Sequence, residues 1–482
     1  MNPPEQDIRT AVKPSRGIIS TPRKVLFGFG CGMDYLAGTL VSGVLWMPYF
    51  NLGLGLSPVA LGLISTVLQV WSAALAPVAG YFSDNLDTRW GRRRPVIIVA
   101  ALFTAVLFPM LWHLPNLGSE ALNLAYFFVI GIVFSSAYTT WSAAYYALQL
   151  EVTPDYDERT SIAAWMGIFS KVAQLLGGWV LALVTSNYFA DPVTGKPDLV
   201  HGTQVISWGI ALAIFLTGAL PALVIRERPG LAQAAGEKGS RESLWQSMCE
   251  CAGCVPLWYL VGISFFLLMG SMSVINLWQY LNIYLVNGGD LSFATVVSGW
   301  RSTAIFGIAI GCVPLWMWLS ARYDKRIVAV TLMVMGLIGH ALNYVFILQG
   351  RPYLQLAPTL FEAAAVSAIW IFIPSMRADI ADFDELKTGR RREGAINAFS
   401  SWFNKLAFTF SASIGGFALS WTGFSAQAAQ QAPGVLHHLK ITYVLITLVF
   451  WSIALVLLWY YPLDRKRMAE LVAQLEARRG KR

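Results

Sequence analysis

Five ionisable side chains stand in stretches that otherwise read as hydrocarbon: Asp34, Lys171, Arg301, Glu362 and Lys405. A lysine or arginine at the centre of a membrane helix costs about 2.5 to 3.5 kcal/mol on insertion scales, so each needs a partner or a task. Two acids and three cations so placed could move charge. An acid facing a cavity can take up and release a proton, and a nearby cation can hold a carboxylate. Asp34, Glu362, Lys405 and Lys171 are therefore the candidate coupling groups. Plainer readings stand beside them: Arg301 as a side chain snorkelling to the outer surface, and Lys171 at a helix seam with a carbonyl partner.

The elements that would position these groups are apolar spans found with a window of about 19 residues. The first six run 25–49, 56–82, 95–114, 122–150, 161–185 and 205–225. A polar linker at 226–255 separates them from six more at 257–286, 293–318, 327–347, 353–373, 394–421 and 441–461. Bundles at 25–225 and 256–461 are expected, with tails at 1–24 and 462–482. Six spans, a linker and six spans is the plan of secondary transporters built from repeated halves.

Composition agrees. The 482 residues are 56% hydrophobic and 13% charged, about half the charged fraction of a soluble domain. Of the 35 lysines and arginines, three lie in spans and three (Lys196, Arg351, Lys440) in alternate loops. The rest occupy the tails and every second loop, which predicts a multi-pass protein of the cell (inner) membrane with both termini cytoplasmic. Because its basic residues lie between apolar spans, the +8 net charge does not point to nucleic acid. Arg23 and Lys24 precede a span of full membrane length, so a cleaved leader is not expected. The cluster Cys249, Cys251 and Cys254 lacks a nearby histidine and reads as free or lipidated thiols, not a metal site. No metal, cofactor or enzymatic dyad is expected, and the protein is expected to be a monomer.

Two charged loops look like a gate. G-Y-F-S-D-N-L-D-T-R-W-G-R-R-R-P places Gly80 and Asp84 at a helix end, followed by Arg89, Arg92, Arg93 and Arg94. S-A-R-Y-D-K-R at 320–326 echoes it in the second half. A-D-I-A-D-F-D-E-L-K-T-G-R-R-R-E-G at 378–394 supplies Asp379, Asp382, Asp384 and Glu385. These acids could pair with the arginine collar when the cytoplasmic side is closed.

With F-G-F-G at 27–30 and L-x-x-E-V-T-P-D-Y-D-E-R-T-S at 148–161, these loops make most of the chain resemble one family. It is the glycoside–pentoside–hexuronide:cation symporter family, typified by melibiose permease, within the major facilitator superfamily. The resemblance implies an all-α fold of twelve transmembrane helices in two pseudosymmetric six-helix bundles. It also implies uptake of a sugar or glycoside driven by sodium, lithium or proton entry. Lys405 matches the family's lysine near the cation site, and Asp34 falls within about a residue of a sugar-binding acid.

The chain departs from the family where sodium would bind. The span-two frame W-D-x-x-x-D-P reads W-S-A-A-L-A-P here, so Ser72 and Ala76 replace both acids. A hard cation prefers anionic oxygen ligands, so the coupling ion expected is H+, with Na+ less favoured. Y-T-T-W-S at 138–142 lacks the family's span-four acid, and Trp165-Met166-Gly167 lacks its span-five arginine. Sugars are held by aromatic faces and fixed hydrogen-bond groups. The expected lining is Asp34, Tyr35, Tyr138, Trp141, Ser142, Asn276, Gln279, Tyr280, Arg301, Asn397, Trp402 and Asn404. An uncoupled facilitator and a carrier of amphipathic, lysolipid-like substrates are the alternatives. Met468, Leu471, Val472 and Leu475 make the tail an amphipathic helix, expected to lie on the anionic inner membrane surface.

Overall fold

A computed structural model describes residues 19–479 other than 87, 116–117, 153–155, 194, 196, 226–249, 389–392, 426–427 and 429–430. The tail up to residue 18, most of the linker, Cys249 and the arginines 390–392 lie outside the described residues. The protein is all-helical. The first half comprises α1 (Thr21–Leu45), α2 (Pro58–Asn85), α3 (Arg93–Trp112), α4 (Glu120–Glu151), α5 (Tyr156–Gly177) and α6 (Leu199–Val224). The second comprises α7 (Val255–Val286), α8 (Leu291–Gly311), α9 (Lys325–Phe346), α10 (Thr359–Thr388), α11 (Glu393–Trp421) and α12 (Pro433–Trp459). A tail helix α13 (Arg465–Arg479) follows. Among the described residues ten helices are long and apolar enough to cross a membrane; α10 and α11, which carry Glu362 and Lys405, span 30 and 29 residues.

Short polar residues start these helices by satisfying N–H groups that have no partner within the helix. Ser57, Ser119, Asp198, Asp290 and Asp324 accept from the backbone N–H of Ala60, Leu122, His201, Phe293 and Arg326. The first helix of each half loosens in the same way. π-Helical turns occupy Tyr35–Leu45 and Pro48–Gly53 in the α1 region and Leu281–Val286 in α7.

The structure differs from the sequence expectation in several places; the eighth span, expected unbroken at 293–318, ends at Gly311 and a further helix runs Val313–Arg322. The fifth span, expected to run unbroken to 185, breaks after Gly177 and resumes at Val180–Val184. A Cβ on Gly177 would lie 2.1 Å from the Tyr35 ring, and one on Gly178 would lie 2.2 Å from Ser302, so neighbouring helices press directly on the backbone there. The charged segment expected as a loop from 378 is helical as far as Thr388. The tail helix packs on protein: Leu471 and Leu475 are buried, Met468 joins the second half's core, and α13 lies against α10.

Each half has its own apolar core, and the first core extends onto α7 and α12. The halves are joined by hydrogen bonds at the end remote from the tail helix, called here the far end. Thr66 Oγ1 bonds Ser413 Oγ and donates to the Thr409 carbonyl; Trp179 Nε1 donates to Thr303 Oγ1 at 3.0 Å; Thr185 meets Thr295 at 2.6 Å. At the α2–α11 crossing, a Cβ on Gly416 would come 2.5 Å from the Pro58 carbonyl oxygen, so the two backbones touch without side chains between them.

Candidate functional site

Two carboxylates, Asp34 half-buried and Glu362 buried, anchor two polar clusters, one in each half. In the first, Asp34 on α1 accepts from Tyr138 (2.9 Å, Oδ1) and Tyr146 (3.0 Å, Oδ2). The two tyrosines stand eight residues apart, about two turns along one face of α4. Among the described residues no cationic side chain bonds Asp34. Tyr35, the neighbour of Asp34 on α1, is buried against Gly177.

In the second cluster Glu362 on α10 is 5% exposed and bonds side chains of two other helices. Oε2 accepts from Arg301 Nη2 of α8 at 2.8 Å, and Oε1 accepts from Asn343 Nδ2 of α9 at 2.6 Å. Oε1 also lies 3.2 Å from His340 Nδ1, also of α9. The other imidazole nitrogen, Nε2, is 3.3 Å from the Tyr443 carbonyl oxygen on α12. Arg301 stacks its guanidinium over Trp278 of α7 at 4.2 Å. A lone buried carboxylate is costly; one held by a guanidinium and two further polar groups is a fixed electrostatic feature.

Polar atoms without a protein partner mark where a ligand could bond. Asn276 Oδ1, Trp278 Nε1, Gln279 Oε1, Arg301 Nε and Asn404 Oδ1 are buried and make no hydrogen bond to the described protein. They lie on α7, α8 and α11. Buried groups of this kind call for an explanation, because leaving one unmade costs about 1 to 3 kcal/mol.

Other residues expected in the site have different surroundings. Trp141 is fully buried, stacks on Tyr145 and donates to the Gly218 carbonyl at 3.0 Å, which corrects its assignment as cavity lining: it fills the α4–α6 seam. Tyr280 is also fully buried and donates to Asn51 Oδ1 at 2.7 Å, so it ties the halves together instead of facing a solute. Asn397 accepts from Arg377 at 3.0 Å. Trp402 is half-exposed and packs edge-on against Phe403, and Ser142 is half-buried on α4. Lys171 Nζ lies 5.5 Å from the Phe306 ring centre across the α5–α8 seam, while Lys405 is exposed on α11. Ser72 spends its hydroxyl on Thr139 at 2.7 Å, and Ala76 is half-buried beyond it on α2.

At the tail end, two of the expected gate groups, Asp379 and Arg94, make bonds within their own halves. Asp379 takes Lys325 Nζ at 3.1 Å on both oxygens; burial raises its carboxyl above the usual carboxylate range and Lys325 opposes this. Arg94 Nε donates to the Ala222 carbonyl. Arg89 is exposed, Arg92 and Asp382 are half-buried, and Arg93 is buried. Gly80 faces open space, and the Asp84 side chain is outside the described residues.

The sequence reading missed Tyr146, His340, Asn343 and Tyr443. His340 and Asn343, three residues apart in an otherwise apolar run, form a polar stripe that helical spacing alone could have flagged.

Known proteins share this architecture along nearly the whole chain. The isoprimeverose transporter of Lactiplantibacillus pentosus is 24% identical, covering 92% of this chain and 89% of its own. The sodium-dependent lysophosphatidylcholine symporter 1 of Gallus gallus is 22% identical, covering 95% and 89%. The crystal structure of a D-xylose-proton symporter matches with a TM-score of 0.58 at 17% identity, over 91% of this chain and 96% of that one. A family model described as MFS/sugar transport protein matches residues 28–465, so this chain, a multi-pass membrane protein, belongs to that transporter family.

Proposed function

We propose that the protein carries a sugar or glycoside across the cell membrane by alternating access, coupled to proton entry, with both termini in the cytoplasm. The observation that carries this reading is the set of buried polar atoms on α7, α8 and α11 that lack a protein partner. Hydroxyls of a sugar can satisfy them, while Trp278 offers an aromatic face. Far-end bonding between the halves makes this an inward-facing arrangement under that orientation. Ser72 and Ala76, with no carboxylate between them, favour protons over sodium as the driving ion. Asp34, Glu362, Lys171 and Lys405 are the coupling residues proposed. The carrier acts as a monomer, and the bilayer is its only obligatory surroundings.

A second reading has its own support. An apolar cavity of about 410 Å³ opens between α2, α3 and α4, lined by Phe82, Val99, Phe103 and neighbours. It suits an acyl chain, and so an amphipathic substrate. Uptake of labelled pentosides, hexosides and lysophosphatidylcholine into proteoliposomes, under imposed proton or sodium gradients, decides between them. Proton-driven uptake of a sugar supports the first reading; sodium-driven uptake, or uptake of the lysolipid alone, overturns it.

A further inference from the structure

The hydrogen-bond inventory around His340 leaves one contact that only an additional proton can close. His340 is 3% exposed and both of its ring nitrogens face acceptors: Nδ1 meets Glu362 Oε1 at 3.2 Å and Nε2 meets the Tyr443 carbonyl at 3.3 Å. A neutral imidazole carries one N–H, so it can serve only one of them. With an ionised Glu362 and a neutral His340, two lone pairs would then face each other in a site closed to water. The alternatives are a doubly protonated imidazole or a protonated Glu362 donating to Nδ1, and each requires one extra proton. No carbonyl can supply it, and Arg301 and Asn343 already donate to the carboxylate.

We infer that the His340–Glu362 contact is a binding site for a single exchangeable proton, shared between Nδ1 and Oε1. This rests on, and deepens, the proton-coupled reading above. The groups facing His340 are Glu362 from α10, Asn343 from its own α9, and the Tyr443 carbonyl and ring and the Trp451 ring from α12; Arg301 from α8 reaches it through Glu362. When the proton leaves, His340 must give up either Glu362 or Tyr443. Loss of the first contact leaves Oε1 with Asn343 alone; loss of the second removes one of several bonds between the α9 and α12 regions. Arg301 is the member of the cluster stacked on Trp278, which belongs to the helix carrying Asn276 and Gln279. A solute bonding Arg301 Nε would therefore draw on the same guanidinium that holds Glu362, linking solute occupancy to the proton.

The site can be read without any substrate. Infrared difference spectra of the reconstituted full-length protein, taken between low and high pH, follow the exchange of this proton. Subtracting the His340→Gln spectrum from wild type should leave one imidazole change and one carboxylate change, and the carboxylate change should vanish in Glu362→Gln. Should His340→Gln fail to fold, His340→Arg, a permanent cation, should lose the same two signals. Spectra unchanged by these substitutions overturn the site. Proton-driven uptake by the same proteoliposomes keeps the two ideas separable. Bands present in wild type without proton-driven uptake support the site and overturn coupling, whereas coupled uptake that survives in His340→Arg overturns the role of this proton in transport.

Discussion

Asp34 and Glu362 are both acids within helices of a membrane protein, yet their surroundings differ in kind: Glu362 is buried and Asp34 half-buried. Glu362 has a guanidinium, an amide and an imidazole on its two oxygens; Asp34 has two phenols and, among the described residues, no bonded cation. The second half therefore carries a charge balanced by its own side chains. The first half carries an acid that, among the described residues, is bonded only to two phenols. An acid held by fixed charged and polar partners thus stands opposite one bonded only to phenols.

The strongest test removes one member of the balanced cluster. Glu362→Gln or Arg301→Gln alone leaves a buried charge uncompensated, which costs about 3 to 5 kcal/mol. Thermal unfolding of detergent-purified protein should show a large fall in Tm for each single variant and substantial recovery in the double variant. Equal instability of all three would mean that the pair is not what holds the charges. Asp34→Asn is the counterpart. Its amide can still bond both tyrosines, so Tm should stay close to wild type while solute uptake falls at least about tenfold, the equivalent of about 1.4 kcal/mol. A collapse in stability would erase the distinction between the halves.

Smaller effects refine it. Tyr146→Phe removes one bond to a carboxylate, worth about 1.5 to 3 kcal/mol when the acceptor is charged and about half that when it is neutral. The size of its loss in solute affinity therefore reports whether Asp34 is ionised in the resting carrier. Thr66→Ala loses neutral bonds at the far-end seam, about 1 kcal/mol. Spin labels on α2 and α11 should then show a modest shift of population towards a conformation open at that end; no shift would remove Thr66 from the seam's energetics.

Much of the scaffold was legible in the sequence because membrane crossing imposes a strong pattern. Long apolar spans and sorted basic loops locate the helices, although the ends of some, such as α10, differ by a dozen or more residues. The ionisable residues within spans were equally visible, since their cost makes them stand out. Their partners were not. That Glu362 meets Arg301, 61 residues away, follows from how α8 and α10 pack, and the pattern along either helix is silent on it. Trp141 and Tyr280 misled for the reverse reason: an aromatic with a polar tip looks the same in sequence whether it lines a cavity or closes a seam. The charged stretch at 378–388 reads as a loop by its polarity, whereas the backbone is helical through Thr388.

The tail helix offers an experimental handle of a different sort. Asp324 caps α9 with one oxygen and accepts the Arg465 backbone N–H with the other at 2.7 Å, while Leu471 and Leu475 bed against the second half. A fluorophore placed near Arg479 therefore rides on that half as a pointer, and its distance to a second dye on Arg89 would follow one half turning against the other, molecule by molecule.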